Sequence, residues 1–338
     1  MQYRVAPGRP ASADAQEIRN GATADVYFAR GADVLRQLGR LDVPVVAEIF
    51  AQSDGILCGV EEALGLLTER KINVWSLQEG EPFEPREPVM RIEGPYGSFG
   101  LYETALLGML ASASGWATAA RRVREAAGSA KVFSFGARHV HPAVAPVMER
   151  AAIVGGLDGV ASVLGARLVG MDPVGTVPHA VVLLAGDTVE VARVLAHDRV
   201  GGPVTMLVDT FHDEAEEAVR VAQALGPELR AVRLDTPGER GGVTPDLVRE
   251  VRARLSQAGF AHVEVFVTGS LTPERIGLMR EAGATLFGVG HFISSAPGID
   301  MTMDLKEIEG RPVAKRGRIP GRTPTDRLTE RLRAGATP

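Results

Sequence analysis

Two aspartates close apolar runs in the same way. Asp209 follows Met206-Leu207-Val208, Asp235 follows Ala231-Val232-Arg233-Leu234, and a threonine comes next in both cases. Carboxylates at the ends of successive strands suit hard or donor-rich targets, Mg²⁺ or the hydroxyls of a sugar. One such aspartate is explained by helix N-capping, where Asp is favoured; two at equivalent strand ends favour chemistry. Further along, Thr268-Gly269-Ser270 and Gly288-Val289-Gly290 also follow apolar runs. Glycines there let backbone N–H groups close on a phosphate, although a tight turn explains either pair by itself. Arg138 leaves the run Lys131-Val132-Phe133-Ser134-Phe135 through Gly136-Ala137, and a guanidinium at that point suits a substrate carboxylate or phosphate.

The histidines offer a different chemistry. His139-Val140-His141 is an H-x-H just after one apolar run and His291 follows the last one. Together they suggest a metal-dependent barrel hydrolase, but the later strand ends carry Asp209, Asp235 and Gly269 rather than the imidazoles that would complete a cage. His179 follows Gly175-Thr176-Val177-Pro178 at a predicted helix start, and His212 lies one helical turn after Asp209. No nucleophile elbow, P-loop, Rossmann fingerprint or kinase signature is present.

Positioning these groups requires a strand–helix alternation, and the second half of the chain supplies it. Strands are predicted over 131–135, 166–169, 204–208, 231–234, 263–267 and 285–287, with helices over 213–225 and 245–258. Another starts at Thr272-Pro273, an N-cap threonine with proline behind it. Apolar runs followed by polar or glycine residues indicate buried parallel strands, in a barrel or a doubly wound sheet, with the reactive positions gathered at the carboxyl edge. The first part reads as mixed α/β: helix-like spacing over 35–50 and 61–67, strands over 73–77 and 89–92, a proline-rich loop over 81–88, and a long helix over 102–127. The expected organisation is an N-terminal α/β domain (1–129), an incomplete α/β barrel with the active site (130–300), and a C-terminal segment (301–338) that packs back or stays partly loose.

Composition sets the outer limits. With 338 residues, 37 Lys+Arg against 42 Asp+Glu and a net charge of −5, the chain is an ordinary globular protein with no cation excess for holding nucleic acid. A single cysteine, Cys58, rules out an internal disulfide and a cysteine-built metal site. The start Met1-Gln2-Tyr3-Arg4 has no apolar signal segment, and the charge-poor stretch 94–120 is interrupted by Glu103 and small polar residues. A cytoplasmic protein without membrane or nucleic-acid partners is expected.

From Ser134-Phe135-Gly136-Ala137-Arg138 to Gly175-Thr176-Val177-Pro178-His179, and on through Val208-Asp209-Thr210, Arg233-Leu234-Asp235-Thr236, Thr268-Gly269-Ser270-Leu271, Phe287-Gly288-Val289-Gly290 and Lys315-Arg316-Gly317-Arg318, the sequence resembles the nicotinate phosphoribosyltransferases of the shorter archaeal and bacterial type. Ala151–Val160 and Ala24-Asp25-Val26-Tyr27 extend the resemblance to nearly the whole chain. It implies a type II phosphoribosyltransferase fold, an N-terminal α/β domain with an incomplete, TIM-like α/β barrel, working as a homodimer or higher homo-oligomer. The reaction implied joins nicotinate to phosphoribosyl pyrophosphate, giving nicotinate mononucleotide and pyrophosphate for NAD synthesis. Mg²⁺ accompanies the substrate, and ATP hydrolysis can be coupled through a phosphorylated histidine, which His179 matches.

By that resemblance Arg138 holds the nicotinate carboxylate, with Thr176 and His139 also in the substrate site, and Tyr27 stacks on the ring from a neighbouring subunit. Asp209 and Asp235 face the ribose hydroxyls or Mg²⁺, and the 5′-phosphate rests on Gly269, Ser270, Gly288 and Gly290. The sequence departs from the pattern at Ala24, Ala137, Ser270 and His291, and at His139, which removes a permanent cation. Quinolinate is the alternative acceptor within the same fold, its second carboxylate asking for more cations than the Arg138 loop displays. Outside enzymes of this fold stand the hydrolase built on His139, His141 and His291 and a catalytically silent nucleotide-binding relative.

Overall fold

The structure, a computed structural model, describes residues 11–198 and 204–335; Met1–Arg4 lie outside that range. The chain divides into two compact units, one formed by residues 1–118 and 297–338 and the other by 119–296. The first division falls inside the long helix, about ten residues ahead of the boundary expected at 129.

In the first unit a capping box on Asp14 and Glu17 starts α1 (Ala15–Arg19), and α2 (Val26–Gln37) follows. The helix-like spacing over 35–50 resolves into the end of α2, a turn, and β1 (Pro44–Ala51). Every β1 residue after Pro44 is buried, so its apolar run has no exposed stripe from which the period could be read. Next come β2 (Gly55–Ile56), α3 (Val60–Leu67) and β3 (Asn73–Ser76). β4 (Pro82–Phe83) pairs with β2, β5 (Pro88–Pro95) carries prolines only at its ends, and α4 (Glu103–Ala127) follows.

The second unit is the strand–helix series. Its elements are β6 (Lys131–Ser134), α5 (Ala145–Val154), β7 (Gly159–Val160), α6 (Val163–Leu168), α7 (His179–Ala185), α8 (Thr188–Asp198), β8 (Val204–Leu207), α9 (Glu214–Leu225), β9 (Leu229–Leu234), α10 (Pro245–Gln257), β10 (Glu264–Thr268), α11 (Pro273–Glu281), β11 (Leu286–Val289) and α12 (His291–Ser294). The six strands are parallel in the order β7-β6-β11-β10-β9-β8. First and last strands in sequence, β6 and β11, are thus neighbours, and the ring is open between β7 and β8: an incomplete α/β barrel. Phe133, Ala231, Phe266 and Leu286 fill its interior, with Phe135 packed on them. One expected strand is a correction. Residues 166–168 belong to α6 and Val169 is its C-cap, because Ser162 caps the Gly165 N–H and starts a helix there; the strand is the two-residue β7, too short to show any period.

The C-terminal segment returns to the first unit. β12 (Met301–Ile308), β13 (Arg311–Pro312) and β14 (Thr329–Leu332) complete a sheet of order β13-β12-β1-β5-β3-β14. The tail after Gly310, expected to pack back or stay partly loose, packs back as far as β14. Glu48, 1% exposed, accepts from Arg91 and from the Thr323 N–H at 3.0 Å. Among the described residues no helix is long and apolar enough to cross a membrane.

Candidate active site

The carboxyl ends of the barrel strands enclose a cavity of about 470 Å³. Its walls carry Arg138, His139, His179, Asp235, Gly269, Ser270, Gly288 and Gly290, together with Phe135, Arg233, Thr268 and His291. Residues scattered over 150 positions of sequence meet there because each lies at or just beyond the carboxyl end of a parallel strand or at the opening beside β7.

Beyond β6, a 3-10 turn at Ala137–His139 puts Arg138 and His139 at the exposed mouth. Arg138 finds no side-chain partner among the described residues, so its fork of donors is free for an anion. The His139 ring lies 5.7 Å from that of His291, edge to face. Burial, then Arg138, then His291 hold the His139 pKa below the usual imidazole value.

At the end of β9 Arg233 is tied down completely. It donates to Asp235 Oδ2 at 2.8 Å, to Thr176 Oγ1 at 2.8 Å and to Thr268 Oγ1 at 3.0 Å. Thr268 Oγ1 donates in turn to Asp235 Oδ1 at 2.7 Å. Both Asp235 oxygens are engaged, and the guanidinium, 5.7 Å from the Phe135 ring centroid, brings no uncompensated charge to the cavity. Arg233 and Thr268 have no part in the sequence-derived site. The signal was available for Arg233, since residues two apart on a strand point to one face and Arg233 precedes Asp235 by two.

His179 opens α7, its Nε2 3.0 Å from Asp209 Oδ2. Nε2 is the ring nitrogen placed to donate to that carboxylate, and Nδ1 is the one left without that contact. Asp209 stands behind the histidine rather than on the cavity wall; its side chain is 1% exposed and Oδ1 has no partner. Burial pushes its pKa up, His179 pulls against that, and Asp235 adds a further push upward. The two aspartates therefore hold different places: one orients an imidazole, the other an arginine. His212, expected a helical turn beyond Asp209, sits exposed in the loop before α9.

The glycine bends make the remaining wall. Gly269 has φ +91° and Ser270 φ +48°, so two successive residues turn left-handed, the kind of backbone bend whose N–H groups can hold an anion. A Cβ at Gly269 would stand 3.3 Å from Asp235 Oδ1, and one at Gly288 2.7 Å from both Phe135 Cδ2 and Thr268 Cγ2. Glu149 of α5, fully buried, accepts the N–H groups of Ala161 and Ser162 at 3.1 Å and the Ser162 hydroxyl. That carboxylate fixes the loop carrying Ala161 onto the cavity wall.

Two expectations lie elsewhere. Tyr27 is on α2 of the first unit, 60% exposed, with its ring 4.3 Å from Phe28. The three-histidine arrangement does not form: His141 Nδ1 accepts the Ala143 N–H at 3.2 Å and His141 does not line the cavity. Among the described residues no three His, Cys, Asp or Glu side chains converge on a metal-sized space.

Residues 25–114 match the quinolinate phosphoribosyl transferase N-terminal domain and residues 116–304 the C-terminal domain of the same family. A solved nicotinate-nucleotide pyrophosphorylase from Pyrococcus furiosus is 45% identical, with a TM-score of 0.88 over 93% of this chain and 82% of that one. A nicotinate phosphoribosyltransferase of Mycobacterium tuberculosis is 32% identical over 248 residues, 70% of this chain and 54% of that protein, so the chain spans about half the length of this curated relative. Human nicotinic acid phosphoribosyltransferase, at 19% identity and a TM-score of 0.69 over 87% of this chain and 76% of that one, shares the fold.

Proposed function

The chain belongs to the quinolinate phosphoribosyltransferase family, and from that premise we propose that it is a phosphoribosyltransferase of NAD synthesis in the cytoplasm whose acceptor is nicotinate. The observation that carries the choice of acceptor is the charge of the cavity: Arg138 is unpartnered, whereas Arg233 is neutralised by Asp235 at 2.8 Å. One free fork matches one carboxylate. Quinolinate, with two, remains the second reading, favoured by the family's description and by the pyrophosphorylase name of the Pyrococcus relative.

In this reading nicotinate lies with its carboxylate on Arg138 and phosphoribosyl pyrophosphate lies along the strand ends, its 5′-phosphate on the bend at Gly269–Ser270 and on Gly288 and Gly290. The pyridine nitrogen attacks C1 of the ribose as the bond to pyrophosphate breaks. Positive charge develops on the sugar, so catalysis is positioning and electrostatics, with no protein nucleophile. Asp235, held by Arg233 and Thr268, faces the ribose hydroxyls. The two aspartates make no metal cage, since Asp235 is fully engaged and only Asp209 Oδ1 is without a partner. Mg²⁺ accordingly enters on the pyrophosphate as part of the substrate, where it screens the leaving charge.

His179 is the residue for ATP coupling. With Nε2 held by Asp209, Nδ1 is the nucleophile for a γ-phosphoryl group, and Asp209 stabilises the ring as it gains positive character. Tyr27 keeps the role of stacking on nicotinate from a second subunit of a homodimer. The test is to incubate the protein with Mg²⁺, phosphoribosyl pyrophosphate and nicotinate, quinolinate or nicotinamide, with and without ATP. Nicotinate mononucleotide from nicotinate is expected, with an ATP-dependent gain lost in His179→Ala; turnover with quinolinate alone would hand the site to the second reading.

A further inference from the structure

Phosphoribosyl pyrophosphate brings a large negative charge, its two terminal phosphates each contributing about −1.5 to −2 at neutral pH and the bridging one about −1. Beyond Arg138, which takes the acceptor carboxylate, the cavity sets no uncompensated permanent cation against it among the described residues, because Arg233 is paired with Asp235 and His179 with Asp209. The remaining basic groups on the wall are His139 and His291, both exposed, with ring centroids 5.7 Å apart at 79°. His139 lies against the glycine bend after β11: a Cβ at Gly290 would stand 2.8 Å from its Cε1 and 3.2 Å from its Nδ1. The pair thus borders the backbone assigned above to the 5′-phosphate.

The charged and titratable groups facing the pair are few. Arg138 is on the same turn; His179, Arg233 and Asp235 stand around the cavity. From α5, which packs against the turn, come Glu149, turned away to Ala161 and Ser162, and Arg150. α12 adds no charge besides His291. With the cavity free of anion, burial first, then Arg138 and the second imidazole, oppose protonation of His139. An arriving phosphate reverses that balance, since an anion within hydrogen-bond reach favours the charged ring.

Resting on the reading of the site as a phosphoribosyl pyrophosphate site, we propose that His139 and His291 form a phosphate-binding imidazole pair that takes up a proton from solvent as that substrate enters. The second cation of the site is then acquired on binding rather than carried permanently. Acquired charge costs less in the empty cavity than a second fixed guanidinium beside Arg138, and it makes affinity fall as pH rises.

The test is calorimetric titration of the protein with phosphoribosyl pyrophosphate and Mg²⁺ near pH 7.5, in two buffers of different ionisation enthalpy. At that pH the substrate's own phosphates, with a second pKa of about 6, have already lost most of their protons. Uptake of about half a proton or more is expected, with the dissociation constant rising about threefold to tenfold per pH unit above neutrality. Uptake should vanish in the double variant His139→Arg, His291→Gln, whose affinity becomes flat with pH. Clear binding heat with zero uptake overturns the pair and leaves the substrate reading standing. Uptake unchanged in the double variant moves the proton to His179 and also overturns it. No binding heat in either buffer overturns the substrate reading and the pair together. If circular dichroism shows the double variant unfolded, the single variant His139→Gln replaces it, with uptake expected to fall to about half of wild type.

Discussion

Arg138 and Arg233 lie on one cavity wall and differ in what they can do, because one guanidinium is free and the other is satisfied on three sides. Arg138→Ala should therefore act on the acceptor. Loss of a charge-assisted contact worth about 1.5–3 kcal/mol predicts a KM for nicotinate raised roughly tenfold to a hundredfold, with KM for phosphoribosyl pyrophosphate changed far less; steady-state kinetics with each substrate varied in turn would show it. Asp209 invites a stability measurement. Its folded pKa lies above the ordinary value, chiefly through burial, so the folded state binds the proton more tightly than the unfolded one. Stability is then lost as pH rises from the ordinary aspartate range through the raised value. Asp209→Asn should remove that loss: relative to wild type, its melting temperature should gain between about pH 4 and neutrality, while the ATP-dependent gain in rate disappears because the tautomer of His179 is no longer held.

Among the elements, the glycine bends carry the strain. Ser270 holds φ +48°, a region that costs a residue with a Cβ about 1 kcal/mol. Ser270→Gly is expected to stabilise the fold by up to about 1 kcal/mol, less whatever the freer unfolded chain takes back; Ser270→Val should destabilise it, and denaturant titration would separate the two. Five of the six barrel strands were legible in the sequence because each is a short apolar run that stops at a polar or glycine residue, the mark of a strand buried on both faces. The same burial hid β1, an inner strand of the first unit's sheet, whose run after Pro44 has no exposed positions to betray its period. β7 escaped because two residues carry no pattern, and α6 passed for a strand although Ser162 caps it. In the site, residues that end strands alone stood out; Arg233, inside β9, reads as a solvated charge until its i, i+2 relation to Asp235 is used. Glu149 could not be found at all, since only the fold brings α5 under the Ala161 loop.

At the scale of the whole molecule the open question is whether one chain makes one site. Tyr27 is 60% exposed on α2, in the unit that does not carry the cavity, and the proposal has it stack on nicotinate held by a second subunit. That arrangement has an arithmetic consequence. In a symmetric dimer with shared sites, Tyr27→Ala damages a site from one side and Arg138→Ala from the other. Each variant alone loses both sites. A heterodimer of the two concentrates both defects in one site and leaves the other intact. Co-expressed in equal amounts and assembling at random, half of the dimers are mixed, each with one working site of two, so about a quarter of wild-type activity should return. If Tyr27 served the cavity of its own chain, no pairing could rebuild a site, and the mixture would show only the mean of the two residual activities. Measuring both variants separately and together, with the oligomeric state fixed by sedimentation, decides between the two arrangements.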